Sequence, residues 1–211
     1  MTKQFDLSAL GWRILLLGGA SGIGKSTVAM HLGQRLGVPW LQVDDFRLAL
    51  ERNGIAIPDS ALVPTFDGPG SLIEVGKFLS PAIEIICENH IVQNNPAILE
   101  GDAIIPTLFD RPQIRNLAAG GWLRAIFLDE SEEQAIHANM QTRNRGHADV
   151  AHAHKNWRYG AWLCRAATER GVPTVPTRPW QTLGDRILAS AQAPLIPHPI
   201  SRIPHSPGDR P

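Results

Sequence analysis

Short apolar runs alternate along the chain with segments whose apolar residues recur at helical spacing. Strands are predicted at residues 13–18, 40–43, 97–100, 123–128 and 172–175. Helices are predicted at residues 25–36, 70–89, 104–118, 130–143, 150–170 and 180–191. Strands alternating with helices of this length are joined by right-handed crossovers in a parallel sheet. The pattern therefore predicts an α/β fold with a five-stranded, mostly parallel sheet, helices on both faces, and ligands bound beyond the carboxyl ends of the strands.

Two stretches depart from this alternation. Residues 53–71 contain turn residues and scattered apolar ones, and a loop of this length in a compact domain is usually a substrate lid or is disordered. The segment 192–211 is rich in proline, which prevents a regular helix or sheet from running through it. We therefore predict one domain over residues 1–191 and a disordered extension over 192–211, with a docking motif as the alternative for the extension.

Composition narrows the class of protein. Twenty lysines and arginines balance 20 acidic residues, so no overall positive field favours nucleic acid as a partner. No run approaches the roughly 20 apolar residues of a membrane span, and the first residues lack an apolar segment of signal-peptide length. Cys87 and Cys164 show no C-x-x-C spacing and are predicted to be free thiols. A cytoplasmic protein without a membrane partner is the expectation.

Residues 18–27, "GGASGIGKST", match the phosphate-binding pattern G-x-x-x-x-G-K-[ST]. An apolar run precedes the motif and a helical segment follows it, which is the context of a P-loop. Backbone N–H groups of such a loop surround a polyphosphate at the start of a helix. The predicted nucleotide-binding residues are Gly19, Ala20, Ser21, Gly22, Ile23, Gly24, Lys25, Ser26 and Thr27. Lys25 is expected to reach the outer phosphates and the Ser26 hydroxyl to bind Mg2+; the alternative is a glycine turn that only joins strand to helix.

A pair of carboxylates follows the second apolar run, in "WLQVDDFRLAL". If this strand neighbours the first, Asp44 lies across the cleft from Lys25, where a carboxylate can accept the proton of an attacking hydroxyl. Arg47, one helical turn later, can bind an anionic group of the acceptor. Asp45 is predicted to be the N-cap of a helix beginning near Phe46. In the alternative interpretation, both aspartates only cap that helix.

The stretches "LLLGGASGIGKST" and "VDDFRLALE" resemble the small P-loop kinases, most closely proteins described as 2-phosphoglycerate kinase-like or as small single-domain AAA-type ATPases. The D-x-x-R of Asp44 to Arg47 also resembles the acceptor motif of polynucleotide kinases and zeta-toxin-type kinases. The resemblance implies a kinase-like strand order, ATP as the nucleotide, Asp44 as the catalytic base and Arg47 as a contact of the acceptor.

The same resemblance extends to three further segments. "AILEGDAIIP" resembles the element after the third strand of these kinases, which implies a magnesium role for Glu100 or, alternatively, Asp102. Both acids have the alternative role of a charged turn before the next helix. Arg143 and Arg145 fall where a lid would bring guanidinium groups onto the transferring phosphoryl group, or they form a solvated helix end. Arg178 falls in the loop after the fifth strand, where it can stack on the nucleotide base.

The leading hypothesis is an ATP- and Mg2+-dependent phosphotransferase acting on a small, anionic metabolite such as a phosphorylated three-carbon acid, with Arg111 and Arg115 adding positive charge if their helix faces the cleft. The alternative is a regulatory module that binds and hydrolyses ATP without an acceptor. A nucleic-acid end kinase is disfavoured by the zero net charge. An AAA+ remodelling protein is disfavoured because no second helical domain is visible.

Overall fold

The computed structural model describes residues 10–58, 70–143 and 149–192. Its centre is a five-stranded sheet in the order β2-β3-β1-β4-β5, and all four strand pairs are parallel. The strands are β1 (Ile14–Gly18), β2 (Trp40–Gln42), β3 (Ala97–Glu100), β4 (Leu123–Asp129) and β5 (Thr174–Pro176). The predicted α/β class and five-stranded sheet are confirmed, and the sheet is wholly parallel.

Seven α-helices connect and cover these strands within the described ranges. They are α1 (Lys25–Leu36), α2 (Val43–Arg52), α3 (Gly70–Val92), α4 (Pro112–Ala119), α5 (Glu133–Arg143), α6 (Val150–Thr168) and α7 (Leu183–Gln192). Helices α1 and α7 pack together against the sheet, whereas α3, α4 and α6 pack around a short 3-10 helix at Pro106–Asp110. Strands covered on both faces are expected to be apolar throughout, and every residue of β1 is buried.

Several predicted boundaries were wrong, among them the following three. The helix predicted over 104–118 is interrupted at Arg111, whose φ of −75° and ψ of 127° are extended. Steric contact with the ring of Pro112 disfavours helical geometry in the preceding residue, and proline then begins α4. Helix α2 begins at Val43 and not near Phe46, so its N-cap is Gln42 and Asp45 is a first-turn residue. The fifth strand begins at Thr174, two residues later than predicted.

The order of the strands determines which residues meet at the carboxyl edge of the sheet. Strand β1 lies between β3 and β4, and Leu17 is paired in register with both Glu100 and Ile126. Strand β2 pairs with β3, so the premise that the second strand neighbours the first was wrong. Glu100 is therefore the acidic residue beside the end of β1, and Asp44 approaches from one strand further away.

Several predictions fall outside the described residues. Residues 59–69 of the predicted loop 53–71 and the segment 193–211 belong to this group, whereas Gly70 already begins α3. Cys87 and Cys164 are free thiols, as predicted. No helix in the described ranges is both long enough and apolar enough to cross a membrane.

Candidate active site

A cleft of about 840 Å3 lies at the carboxyl edge of the sheet. Residues 21–27 form its floor, and side chains at or beyond the carboxyl ends of β2, β3, β4 and β5 line its walls, among them Asp44, Glu100, Glu130 and Arg178. This is the location expected for a ligand site in a parallel α/β sheet. The cleft thus gathers five segments that are separated in sequence around one glycine loop.

The glycine loop connects β1 to α1 in a conformation that requires glycine. Gly24 is the N-cap of α1, has a φ of 89°, and makes no side-chain cap hydrogen bond. A Cβ atom at this position would lie 2.3 Å from Cη2 of Trp180. The first N–H groups of a helix have no partner within the helix, and here no side-chain cap occupies them. The start of α1 is therefore a suitable binding site for a phosphate group.

Lys25 is the buried cation of this loop. Its side chain bends back so that Nζ donates a hydrogen bond to the Ala20 carbonyl at 2.7 Å, and the residue is 7% exposed. Burial raises the pKa of both Glu100 and Asp44, and the positive charge of Lys25 partly offsets this increase. Lys25, within the glycine loop, therefore lies close enough to Glu100 and Asp44 to affect both carboxyl groups electrostatically.

Glu100 and Ser26 provide oxygen ligands suited to Mg2+. Glu100 is 3% exposed, and burial raises the pKa of its carboxyl group, while Lys25 and a hydrogen bond with the Ser26 side chain act in the opposite direction. Within the described ranges, no three His, Cys, Asp or Glu side chains form a metal-binding group by themselves. Mg2+ at a nucleotide usually takes only one or two carboxylates and otherwise binds phosphate and water, so the Glu100 and Ser26 pair fits it.

Asp102 lines the cleft two residues beyond Glu100. Its backbone carbonyl accepts a hydrogen bond of 2.6 Å from the hydroxyl of Tyr159, a fully buried residue of α6. Its carboxylate contributes to raising the pKa of both Glu100 and Asp44. Asp102 is thus held at the wall of the cleft beside Glu100, and its role as an alternative magnesium ligand stays a prediction.

Asp44 lines the cleft, whereas Arg47 does not. Burial raises the pKa of Asp44, and the negative charge of Asp102 raises it further. The positive charges of Arg47, Lys25 and Arg143 lower it. Nε of Arg47 lies 3.8 Å from Oδ1 of Asp44, and Nη1 lies 3.6 Å from Oε1 of Glu51. Nε is also buried without a hydrogen-bond partner. The guanidinium group therefore lies along α2 between two acidic side chains.

The remaining predicted cations differ in position. Arg143, the last residue of α5, lines the cleft, and Arg145 lies outside the described residues. Arg111 makes a two-pronged pair with Glu84, with nitrogen–oxygen distances of 2.6 and 3.0 Å. Neither Arg111 nor Arg115 lines the cleft, so the expectation that their helix adds charge there was wrong. Arg111 is instead bound to α3.

Sequence reasoning missed Asn139, Glu130 and Trp180, all of which line the cleft. Asn139 of α5 donates a hydrogen bond from Nδ2 to the Gly22 carbonyl at 2.9 Å and so ties α5 to the glycine loop. Glu130 directly follows β4, as Glu100 completes β3, and that repetition was a usable signal. Trp180 had no local signal, because its contact with Gly24 depends on the packing of a distant loop.

A methyl group at Gly24 tests the shape of the loop. We expect Gly24→Ala to weaken Mg-ATP binding by more than about tenfold, because the new Cβ meets Trp180 and displaces the backbone N–H groups. Gly37→Ala is the matched control: Gly37 ends the same helix with a φ of 69° and has open space around it. Both variants should lose ~1–2 kcal/mol of folding free energy through the left-handed backbone, and Gly24→Ala should lose more because its Cβ also meets the Trp180 ring. Calorimetric titration should show weaker binding only for Gly24→Ala, and equal affinities in the two variants would contradict this account.

Comparison with known proteins finds one similar sequence and several similar folds. No protein-family model matches the chain. The chain is 23% identical over 205 residues to 2-phosphoglycerate kinase of Methanocaldococcus jannaschii, covering 83% of this chain and 65% of that protein. It therefore spans less than two thirds of the length of this relative.

Two solved structures share the arrangement of strands and helices. A gluconokinase from Sinorhizobium meliloti 1021 superposes with a TM-score of 0.50 at 18% identity, covering 84% of this chain and 90% of that one. The tunicamycin resistance protein of Deinococcus radiodurans superposes with a TM-score of 0.51 at 16% identity, covering 89% and 99%. In sequence and in fold the chain resembles the small P-loop kinases, which confirms the resemblance seen in its motifs.

Proposed function

We propose that this protein is a phosphotransferase that moves the γ-phosphoryl group of Mg-ATP to a hydroxyl or acid group of a small metabolite. One observation carries the proposal: Asp44, a partly buried carboxylate, shares a cleft with the glycine loop and Lys25. A module that only binds and hydrolyses nucleotide does not require an acceptor-side base at this place. The sequence similarity to a protein named as a kinase supports the same class of reaction.

Each residue of the cleft has a role in this reaction. Backbone N–H groups of residues 19–27 and the Lys25 ammonium hold the phosphates, and Ser26 with Glu100 holds Mg2+. Bound Mg2+ neutralises charge on the phosphate oxygens. When the acceptor is an alcohol, Asp44 takes the proton of its hydroxyl as the new oxygen–phosphorus bond forms and the bond to the ADP oxygen breaks. Arg143 offsets negative charge that develops on the transferring group.

The acceptor is proposed to be small and anionic, with 2-phosphoglycerate as the first compound to test. The name of the similar archaeal protein supports this choice. Nucleic acid remains disfavoured by the balanced charge of the chain.

Phosphorus NMR tests the proposal directly. Purified protein would be incubated with Mg-ATP alone and with hydroxy acids, sugars and nucleosides, including 2-phosphoglycerate. We expect a new phosphoester or acyl-phosphate resonance that requires both one acceptor and Asp44. Release of ADP and inorganic phosphate at a rate that no acceptor changes would support the regulatory ATPase instead.

The pH dependence of transfer follows from the environment of Asp44. Only the carboxylate form accepts a proton, and burial raises the pKa of this group above its ordinary value. As the pH decreases, activity should therefore begin to fall at a higher pH than it would with an ordinary aspartate, whose pKa is about 4. The measurement is kcat/KM against pH with an acceptor that does not titrate in that range. An acid limb identical in wild type and Asp44→Asn would assign the titration to another group, such as Glu100 or the nucleotide.

A further inference from the structure

A buried carboxylate follows β4 in the wall of the cleft, opposite the acceptor side. The side chain of Glu130 is 2% exposed. Its Oε2 accepts hydrogen bonds from Oγ1 of Thr177 at 2.6 Å and from Nε of Arg178 at 3.2 Å, and its Oε1 accepts one from the backbone N–H of Glu132 at 3.2 Å. Three donors, a hydroxyl, a guanidinium and a backbone N–H, thus hold this carboxylate in place.

This network fixes the loop that follows β5. The Thr177 backbone N–H donates to the Asp129 carbonyl at 2.7 Å, which extends the pairing of β4 with β5 up to Glu130. From the other side, Nη2 of Arg186 donates to the Pro179 carbonyl at 2.9 Å and to the Thr177 carbonyl at 3.4 Å. The loop from residue 177 to 179 is therefore held from both sides. Arg178 projects from a backbone that is hydrogen-bonded at both neighbouring residues.

The Arg178 guanidinium is hydrogen-bonded to Glu130 through Nε, and the rest of the side chain is largely exposed. Nε is bound to Glu130, yet 58% of the side chain is exposed, and Arg178 lines the cleft together with Trp180 and Gln181. The Trp180 ring lies against Gly24 of the phosphate-binding loop. The end of the cleft beyond the phosphate loop thus presents a flat cation and an aromatic ring, and both surfaces stack on planar heterocycles.

The charge of this end indicates what it binds. Glu130 compensates the positive charge of Arg178 locally, whereas Lys25 and Arg143 lie beside the phosphate loop. A compensated guanidinium has little attraction for a further phosphate, but its plane remains available for an uncharged ring. Without the carboxylate, the Arg178 side chain would lose this hydrogen bond and could turn towards the phosphates, although its backbone would stay in place.

We propose that Glu130 is a positioning residue that holds Arg178 flat for stacking on the nucleotide base, with Trp180 and Gln181 completing a base-binding end of the cleft. The inference rests on the proposed nucleotide-binding function and adds a residue that the comparisons do not assign. It separates recognition of the phosphates from recognition of the base. Substitution of Glu130 should accordingly leave the affinity for a ligand without a base unchanged.

The test compares Mg-ATP with Mg-tripolyphosphate, which offers phosphates without a base, by calorimetric titration. Glu130→Gln should weaken Mg-ATP binding about tenfold and change tripolyphosphate binding by less than about twofold. Arg178→Ala, which alters an exposed side chain, should reproduce this pattern. The double variant should be no weaker than either single variant, because both remove the same contact. Glu132→Gln is the matched control, since Glu132 joins the network through its backbone N–H.

The outcomes distinguish this inference from the proposed function. Equal weakening of both ligands in Glu130→Gln would indicate general damage to the loop, and additive effects in the double variant would show that Glu130 does not act through Arg178. Either result overturns the positioning role. Wild-type protein that binds tripolyphosphate as tightly as ATP has a phosphate site but no base site. Wild-type protein that binds neither ligand overturns both the inference and the nucleotide-dependent function.

Discussion

Lys25→Ala should abolish measurable binding of Mg-ATP, with an affinity loss of about 100-fold or more. The lysine supplies the buried positive charge of the phosphate loop and donates to the Ala20 carbonyl, which helps to close that loop. Its charge also lowers the pKa of Glu100 and of Asp44, so its removal allows both values to rise further. A Glu100 carboxyl that protonates more easily binds Mg2+ less well, and the two losses act together.

Lys77→Ala is the matched control for this variant. Lys77 is an exposed residue of α3 whose Nζ pairs with Glu74 at 2.7 Å, and exposed pairs of this kind contribute little to stability. Affinities measured by calorimetric titration should be unchanged in Lys77→Ala, and thermal unfolding should confirm that Lys25→Ala remains folded. A folded Lys25→Ala protein that binds Mg-ATP as well as wild type would remove the phosphate loop from its assigned role.

The parts of the site that depend on adjacent residues were predicted well from the sequence. The glycine pattern, the buried strand before it and the helix after it occupy consecutive positions, and α1 spans Lys25–Leu36 as expected. Glu100 was singled out through the resemblance of "AILEGDAIIP" to the element after the third strand of small P-loop kinases, and the structure places it in the cleft. Its role in binding Mg2+ stays a prediction. In these segments, local backbone preference and hydrophobic pattern favour the same structure.

The parts that depend on packing between distant segments were not predictable in the same way. The neighbour of β2 is decided by the order of the whole sheet, and the position of Arg47 depends on the three-residue shift in the start of α2. With that start, Asp44 and Glu51 lie three and four residues from Arg47, within reach on the helix surface. Glu130 acquires its partners from Thr177 and Arg178, 47 and 48 residues later.

Asp44→Asn should leave Mg-ATP binding nearly unchanged and lower kcat for transfer to the acceptor by about 100- to 10,000-fold. Asparagine has the size of aspartate but cannot take the proton of a hydroxyl at neutral pH. The residue lies on the wall of the cleft and not in the glycine loop, so the phosphate contacts of residues 19–27 remain. Steady-state kinetics with the acceptor identified by NMR and calorimetric titration of Mg-ATP separate the two effects.

Asp45→Asn is the control, because Asp45 is exposed in the same first turn of α2 and should tolerate the change. Equal loss of transfer in both variants would assign the effect to the start of α2, where acidic residues favour the helix dipole. Equal loss of ATP binding in Lys25→Ala and Asp44→Asn would overturn the division between phosphate-side and acceptor-side roles.

The thermal stability of Asp44→Asn, compared with that of wild type, tests the role of Asp44 independently of the kinetics. Because burial and Asp102 raise its pKa in the folded protein, the ionised carboxylate opposes folding at neutral pH, and this penalty decreases as the pH falls through the raised pKa. Asp44→Asn should therefore unfold at a temperature no lower than that of wild type while transfer is lost. A residue that lowers stability yet is required for turnover is retained for chemistry. If Asp44→Asn instead keeps its ATP hydrolysis and no acceptor is ever phosphorylated, the cleft serves a nucleotide-dependent switch and not a kinase.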